Sequence, residues 1–237
     1  MTNIIDTNTN EKHFDKVFSE KGQIEYQLDK NKMGRKDRQI IKLLESHGVK
    51  GKNCLDIGPG TGRWLNFLKQ MGAARLTGID LSDQSLKKCK PYCDEIRKIN
   101  VENEPLGMDS NLFDIVISFE VLEHLFDPTL YLSEISRVMA DDAILIMSIP
   151  NILSFISRVR SFFGLLPVAI ASDPTHVSFY RKKEIKELLR KFNLNPIFAP
   201  TSISLNPRNP KSRFSIPSLK LISSLDDSLV FYAHKQI

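Results

Sequence analysis

The chain has 237 residues, is 41% hydrophobic and 26% charged, and carries a formal net charge of +5, which suits one domain with a substantial core and argues against a second independent one. No apolar run reaches the ~18 residues of a membrane-spanning helix, and the polar start Met1-Thr2-Asn3, with Asp6 close behind, is unlike a secretory leader, so a cytoplasmic location is expected. Cys54, Cys89 and Cys93 are too few for a disulfide framework and lack the second pair a tetrahedral metal site needs, while the basic residues are spread out without an aromatic RNA-binding signature, so nucleic acid is not an expected partner.

Residues 1–34 are polar with isolated apolar positions and read as an extension, disordered over the first ten residues and loosely helical beyond. From Arg35, the positions Ile40, Ile41, Leu43 and Leu44 recur at helical spacing and Gly48 stops the helix. Cys54 to Ile57 reads as a buried strand, Trp64, Leu65 and Leu68 as a helix face, and Leu76 to Ile79 as a second strand. Ser82 caps a helix through Cys89. A third strand is expected around Ile96 to Asn100, a fourth at Ile115-Val116-Ile117 and a fifth at Ile144 to Met147, with a helix starting at Asp127-Pro128 between the last two. Arg181 to Phe192 is a surface helix, and strands follow near Ile197 to Thr201 and Leu229 to Ala233, separated by a basic loop, Asn206 to Lys211. Alternating strands and helices mark a parallel sheet covered on both faces.

Between Asn151 and His176 lies a segment the minimal pattern does not need. Over residues 152–175, Ile152, Phe155, Ile156, Val159, Phe163 and Leu166 form one helical stripe opposite Ser154, Arg158 and Ser161. It reads as core packing, as a lid over the site, or as an interfacial helix that meets a membrane through its apolar face with Arg158 and Arg160.

The most informative stretch is Cys54-Leu55-Asp56-Ile57-Gly58-Pro59-Gly60-Thr61-Gly62, a strand running into a glycine-rich turn. Asp80 follows at the tip of the second strand, where an acid can accept from ribose hydroxyls. The G-x-G-x-G spacing departs from dinucleotide sites, and no G-x-x-x-x-G-K-[ST] phosphate cradle occurs, so neither NAD nor ATP is favoured. This D-x-G-x-G-x-G, the acid at Asp80, the run Phe113 to Leu125 and the helix Leu132 to Met139 together resemble the class I S-adenosylmethionine-dependent methyltransferases over roughly residues 50 to 200. The resemblance implies a Rossmann-like α/β sheet of about seven strands, mostly parallel with one antiparallel strand, in a domain spanning 35–237. It implies S-adenosylmethionine as cofactor, held by Asp56, Gly58, Gly60, Gly62, Asp80, Leu81 and Phe119, with the adenine amino group near Asn100 or Glu102.

Glu120-Val121-Leu122-Glu123-His124 is the second candidate. If a helix starts at the tip of strand four, Glu120, Glu123 and His124 share one face, and His176 arrives from the insertion. Two carboxylates and two imidazoles can hold a divalent cation. The ubiquinone-biosynthesis O-methyltransferases and the small-RNA 3′-end 2′-O-methyltransferases carry a similar E-x-x-E-H with a distant His as a metal site, which sharpens that reading. The bland reading is two solvated glutamates and a structural His124. Either way His124 and His176 are the catalytic candidates, as metal ligands or general bases, whereas His13, His47 and His234 read as surface residues. The implied reaction is methyl transfer to an oxygen of a small or lipid-linked acceptor such as a sugar, quinone precursor or secondary metabolite. A 3′-terminal RNA ribose is the rival acceptor.

Overall fold

The computed structural model describes residues 7–20, 33–200, 202–204, 215–217 and 226–236. Its elements are α1 (Thr7–Glu20), α2 (Arg35–His47), β1 (Asn53–Ile57), α3 (Arg63–Gln70), β2 (Arg75–Asp80), α4 (Asp83–Cys89), β3 (Glu95–Lys98), β4 (Phe113–Phe119), α5 (Thr129–Val138), β5 (Met139–Pro150), α6 (Phe155–Phe162), α7 (Val168–Ala171), α8 (Lys182–Arg190), β6 (Leu194–Ala199), β7 (Ser202–Ser204), β8 (Ser215–Pro217) and β9 (Ser228–Lys235). Local signals act where the sequence places them. Gly48 ends α2 with φ +79, a conformation that costs glycine nothing, and the Ser82 hydroxyl accepts from the Ser85 amide at the start of α4.

Seven strands form one sheet in the order β3-β2-β1-β4-β5-β9-β6. β1 pairs in parallel with β2 and β4, β2 with β3, and β4 with β5, while β9 runs antiparallel to both β5 and β6. This is the expected α/β sheet with its one reversed strand. Side chains alternate between two cores, as period-two strands require. Leu55, Ile57, Val116, Leu145, Met147 and Phe231 pack with α5 and α8 through Ile135, Val138, Ile185 and Leu189. Cys54, Ile115, Ile117, Ile144, Ile146 and Val230 pack with α2 and α3 through Ile40, Leu44, Leu65 and Leu68. Each such buried aliphatic side chain contributes about 1.5–3 kcal/mol, so both faces of the sheet are closed by the helices that follow or precede each strand.

Three local expectations change. The third strand sits at Glu95–Lys98, and Asn100 has passed into the following loop. The fifth strand is longer than its apolar run, Met139–Pro150, because β9 pairs along its whole second half. A two-stranded ribbon, β7 with β8, was not foreseen, and the Asn206 to Lys211 loop lies outside the described residues. The sheet reverses order between β1 and β4, and in open parallel sheets ligands bind at such a switch point, beyond the carboxyl ends of the strands.

Candidate functional site

At that point lies an open cleft, lined by Ile57, Gly58, Ile79, Asp80, Leu81 and residues 99–102 on one side, and by Glu120, Val121, His124 and Leu125 on the other. The loop after β1 approaches the loop after β4 so closely that a Cβ on Gly58, whose φ is +75, would stand 2.4 Å from Val121 Cγ2. The neighbouring glycines serve packing instead. A Cβ on Gly62 would meet Tyr92 at 2.8 Å and the backbone of Cys89 at 3.2 Å.

Two acids stand at the glycine-loop end, Asp80 lining the cleft and Asp56 buried in the strand below it. Asp80 accepts from the Ser82 amide at 2.9 Å and the Ser85 hydroxyl at 2.5 Å, and the Gly60 amide reaches it at 3.4 Å, so one carboxylate fixes β2's tip to α4 and to the glycine loop. Burial pushes its pKa up in spite of these bonds. Asp56 is 1% exposed and its Oδ2 has no partner. Burial, reinforced by Asp80, holds that carboxyl well above the usual range, which marks a place where a cationic group would be welcomed. Replacing Asp80 with alanine is expected to weaken S-adenosylmethionine binding by about 1–3 kcal/mol, the range for losing a charge-assisted partner. Calorimetry checks this, and an unchanged affinity would take Asp80 out of the site.

Of the other expected cofactor residues, Leu81 and Asn100 line the cleft. Glu102 lines it too, but its Oε1 accepts from the amides of Phe126 at 2.7 Å and Asp127 at 3.1 Å, which commits it to holding that turn. Phe119 turns away and packs against Trp64 with ring centroids 5.2 Å apart.

The Glu120 to His124 segment is not one helix. Glu120 has φ +58, Val121 has φ −122, and only Leu122–His124 form a 3-10 turn. The left-handed step at Glu120 swings its carboxylate away from the other two. It accepts from Lys36 Nζ at 2.9 Å and from the Ser148 hydroxyl at 2.7 Å. Burial works against the Glu120 charge, but Lys36 outweighs it and holds the pKa below the usual value. Glu123, His124 and His176 do converge, each offering a ligand atom within 4.8 Å of the others.

Glu123 is 2% exposed, and neither of its oxygens has a hydrogen-bond partner. Burial, then Glu120, pushes its pKa well above normal. His124 Nδ1 meets the Thr175 carbonyl at 3.1 Å, and His176 Nδ1 meets the Ala169 carbonyl at 2.5 Å. A carbonyl only accepts, so both Nδ1 atoms carry the hydrogen, which leaves Nε2 as the lone-pair nitrogen whenever either ring is neutral. Burial and the neighbouring His176 lower the pKa of His124, which favours its neutral form, with Nε2 free to accept a proton.

Sequence reasoning missed the contribution of α1. Asn10, Phe14 and Phe18 line the cleft, spaced four residues apart on one helical face. Phe18 sits over the glycine loop, 3.1 Å from where a Gly60 Cβ would be, and Phe14 meets His124 edge to face at 5.1 Å. Asp15 pins the helix by accepting from the Ser82 hydroxyl at 2.5 Å and the Gln84 amide at 3.2 Å. His13, expected on the surface, lies with Nε2 buried, 3.8 Å from Asp173. No residue of 152–175 lines the cleft; that segment touches the site's histidines, Thr175 meeting His124 and Ala169 meeting His176.

Comparison with known proteins fixes the family. Residues 28–197 match the model of a methyltransferase domain family. The chain belongs to the class I S-adenosylmethionine-dependent methyltransferases. Among curated relatives of this methyltransferase, the ubiquinone biosynthesis O-methyltransferase of Coxiella burnetii is 30% identical over 158 residues, 62% of this chain and 65% of that one. The protein of that name from Neisseria meningitidis is 25% identical over 118 residues, 47% of this chain and 50% of the relative. The methyltransferase thus spans about half the length of the curated relatives it matches, rising to 65% for the Coxiella protein. Among solved structures, magnesium protoporphyrin IX methyltransferase from Synechocystis, with bound SAH, superposes with a TM-score of 0.64 at 16% identity, covering 98% of this chain and 100% of that one. A methyltransferase from Archaeoglobus fulgidus gives 0.61 at 19% identity over 84% and 92%. Both show the fold alone.

Proposed function

We propose that this methyltransferase carries the S-adenosylmethionine methyl group to an oxygen of a small or lipid-linked acceptor, such as a sugar, a quinone precursor or a secondary metabolite. The observation that carries this reading is the Glu123, His124 and His176 cluster beside the cleft, with both imidazoles held in the tautomer that presents Nε2. Oxygen acceptors need such a cluster, because a hydroxyl must lose its proton as the new bond forms. The names of the Coxiella and Neisseria relatives support oxygen as the acceptor atom.

The chain's own part is alignment, proton removal and exclusion of water. Asp80 and the glycine loop set the cofactor's position from one end of the cleft. Neutral His124 stands at the other end, able to receive the hydroxyl proton on Nε2. Phe14 and Phe18 cover the space between with apolar surface.

The same cluster fits a divalent cation on the evidence of Glu123, whose two buried oxygens lack hydrogen-bond partners. Glu123, His124 and His176 would hold it, and Glu120 would not, since Lys36 and Ser148 already engage its carboxylate. Bound there, a cation would acidify a coordinated hydroxyl, and mixed carboxylate and imidazole donors favour manganese, iron, cobalt or zinc over magnesium.

The test is transfer of labelled methyl to a panel of phenols, vicinal diols and amines, alongside a short RNA with a free 3′ end. Label on a phenol or diol oxygen supports the reading. Label confined to amines or to the RNA ribose overturns it.

A further inference from the structure

Helix α6 is built inside out. Its buried side chains are Ser154, Ile156 and Ser157, the two serines only 2% and 1% exposed, whereas Phe155, Phe162 and Phe163 face water. The expected apolar stripe therefore splits, with Ile156 in the core and Phe163 and Leu166 outside. Phe162 and Phe163 are 85% and 71% exposed, and Leu165 and Leu166 continue the patch beyond Gly164. Monomeric soluble proteins seldom leave consecutive large apolar residues open in this way without a use for them.

The tip is fixed in shape rather than left loose by want of packing. The Ser154 hydroxyl bonds the Ser157 hydroxyl at 2.9 Å, and the Val168 amide donates to that same Ser157 oxygen at 3.2 Å, which clamps α6 to α7. At the apex the amides of Phe163, Gly164 and Leu165 donate to the carbonyls of Arg160, Ser161 and Arg160, and Arg160 Nε donates to the Leu166 carbonyl at 2.8 Å. Backbone groups already paired within the tip cost little to move out of water.

Charge indicates what the tip meets. From Ala143 to Ser172 the sequence contains no acidic residue and two arginines, Arg158 and Arg160, and Arg158 is exposed. The chain as a whole is cationic, at +5. We propose that the α6 tip, Phe155 to Leu166, is a docking surface for the interface of an anionic lipid bilayer, with Phe162, Phe163, Leu165 and Leu166 inserted among the acyl chains and Arg158 set against phosphate headgroups. Apolar anchors flanked by cations are the composition that binds such an interface. The surface goes beyond the acceptor assignment and does not depend on it. It does have a path to the site, because α7 carries Ala169, whose carbonyl fixes His176. Docking would therefore place the cleft's histidine wall one short helix from the lipid.

Flotation of the full chain with vesicles tests this without any acceptor. Vesicles of pure zwitterionic phospholipid are compared with vesicles containing about one third anionic phospholipid. Capture by the anionic vesicles that weakens as salt rises is the expected result, with a loss of about tenfold or more in the Phe162→Ser, Phe163→Ser double variant at an unchanged melting temperature. Arg158→Gln should weaken capture by a smaller factor. Failure to float with anionic vesicles at low salt overturns the proposal, as does equal capture of the wild type and the double variant. Sedimentation velocity supplies the remaining check: a dimer that the double variant converts to monomer would assign the tip to a second copy of the chain and overturn the bilayer.

Discussion

Exchange of His124 or His176 for alanine is expected to lower the methyl-transfer rate by about 10²–10⁴-fold, the usual contribution of a positioned proton acceptor, with S-adenosylmethionine affinity nearly unchanged. Both imidazoles are held by the same device, a carbonyl at Nδ1, and His176 Nε2 stands 3.9 Å from a Glu123 oxygen, so either loss opens the cluster. Exhaustive chelation separates the two ways the cluster can act. Equal loss on chelation and on substitution assigns the cation, activity that survives chelation but falls on substitution assigns a metal-free base, and indifference to both returns the residues to a structural role. Glu123→Gln should behave differently in stability. A carboxyl buried without partners is costly, so the amide variant is expected to lose activity while gaining about 1–3 kcal/mol in the chelated protein. The sign follows from linkage. The Glu123 pKa is raised in the folded chain, so whatever stability this group retains is full below the unfolded carboxylate pKa and is lost as pH rises toward the folded value. The gap between variant and wild type should accordingly widen with rising pH in urea titrations, and a gap that closes with rising pH would contradict this assignment.

The second large effect is expected at Gly58. Alanine there meets two separate obstacles: a left-handed φ of +75, which costs a residue with a Cβ about 1–2 kcal/mol, and a Cβ placed 2.4 Å from Val121 Cγ2, an overlap whose relief typically costs about 1–3 kcal/mol. Together they predict a loss of about 2–5 kcal/mol in denaturant unfolding, along with weaker cofactor binding because the loop after β1 must move. The two contributions can be parted. Adding Val121→Ala should restore the part due to overlap and leave the conformational part, and a double variant no more stable than Gly58→Ala would show that the clash had been relaxed in some other way.

The sheet was legible because its signals are local. Apolar runs bounded by glycine, a serine at Ser82 with its amide partner three residues on, and Gly48 after the last periodic leucine each act within a few residues of themselves. Asp80 and the glycine loop were legible for the same reason. Glu120 was not, since helical spacing presumes helical backbone, and a tertiary partner decides otherwise. Lys36, 84 residues away, takes its carboxylate, and no reading of local periodicity contains that fact. The part α1 plays in the cleft was missed for the opposite reason. Asn10, Phe14 and Phe18 do share a face, but two aromatics in a polar stretch read as isolated residues until the cleft they cover is known. The inverted α6 shows the limit of amphipathic patterning, which says that a helix has two faces but not which one the fold buries.

Phe14 and Phe18 stand one turn apart on a single helix, Phe18 over the glycine loop and Phe14 against His124. As a rigid unit, that helix cannot uncover the nucleoside end of the cleft while keeping the histidine end shut. Spent cofactor and methylated product therefore share one door. The order of events in a catalytic cycle follows from that: both substrates must be in place before the door closes, and both products wait for the same opening.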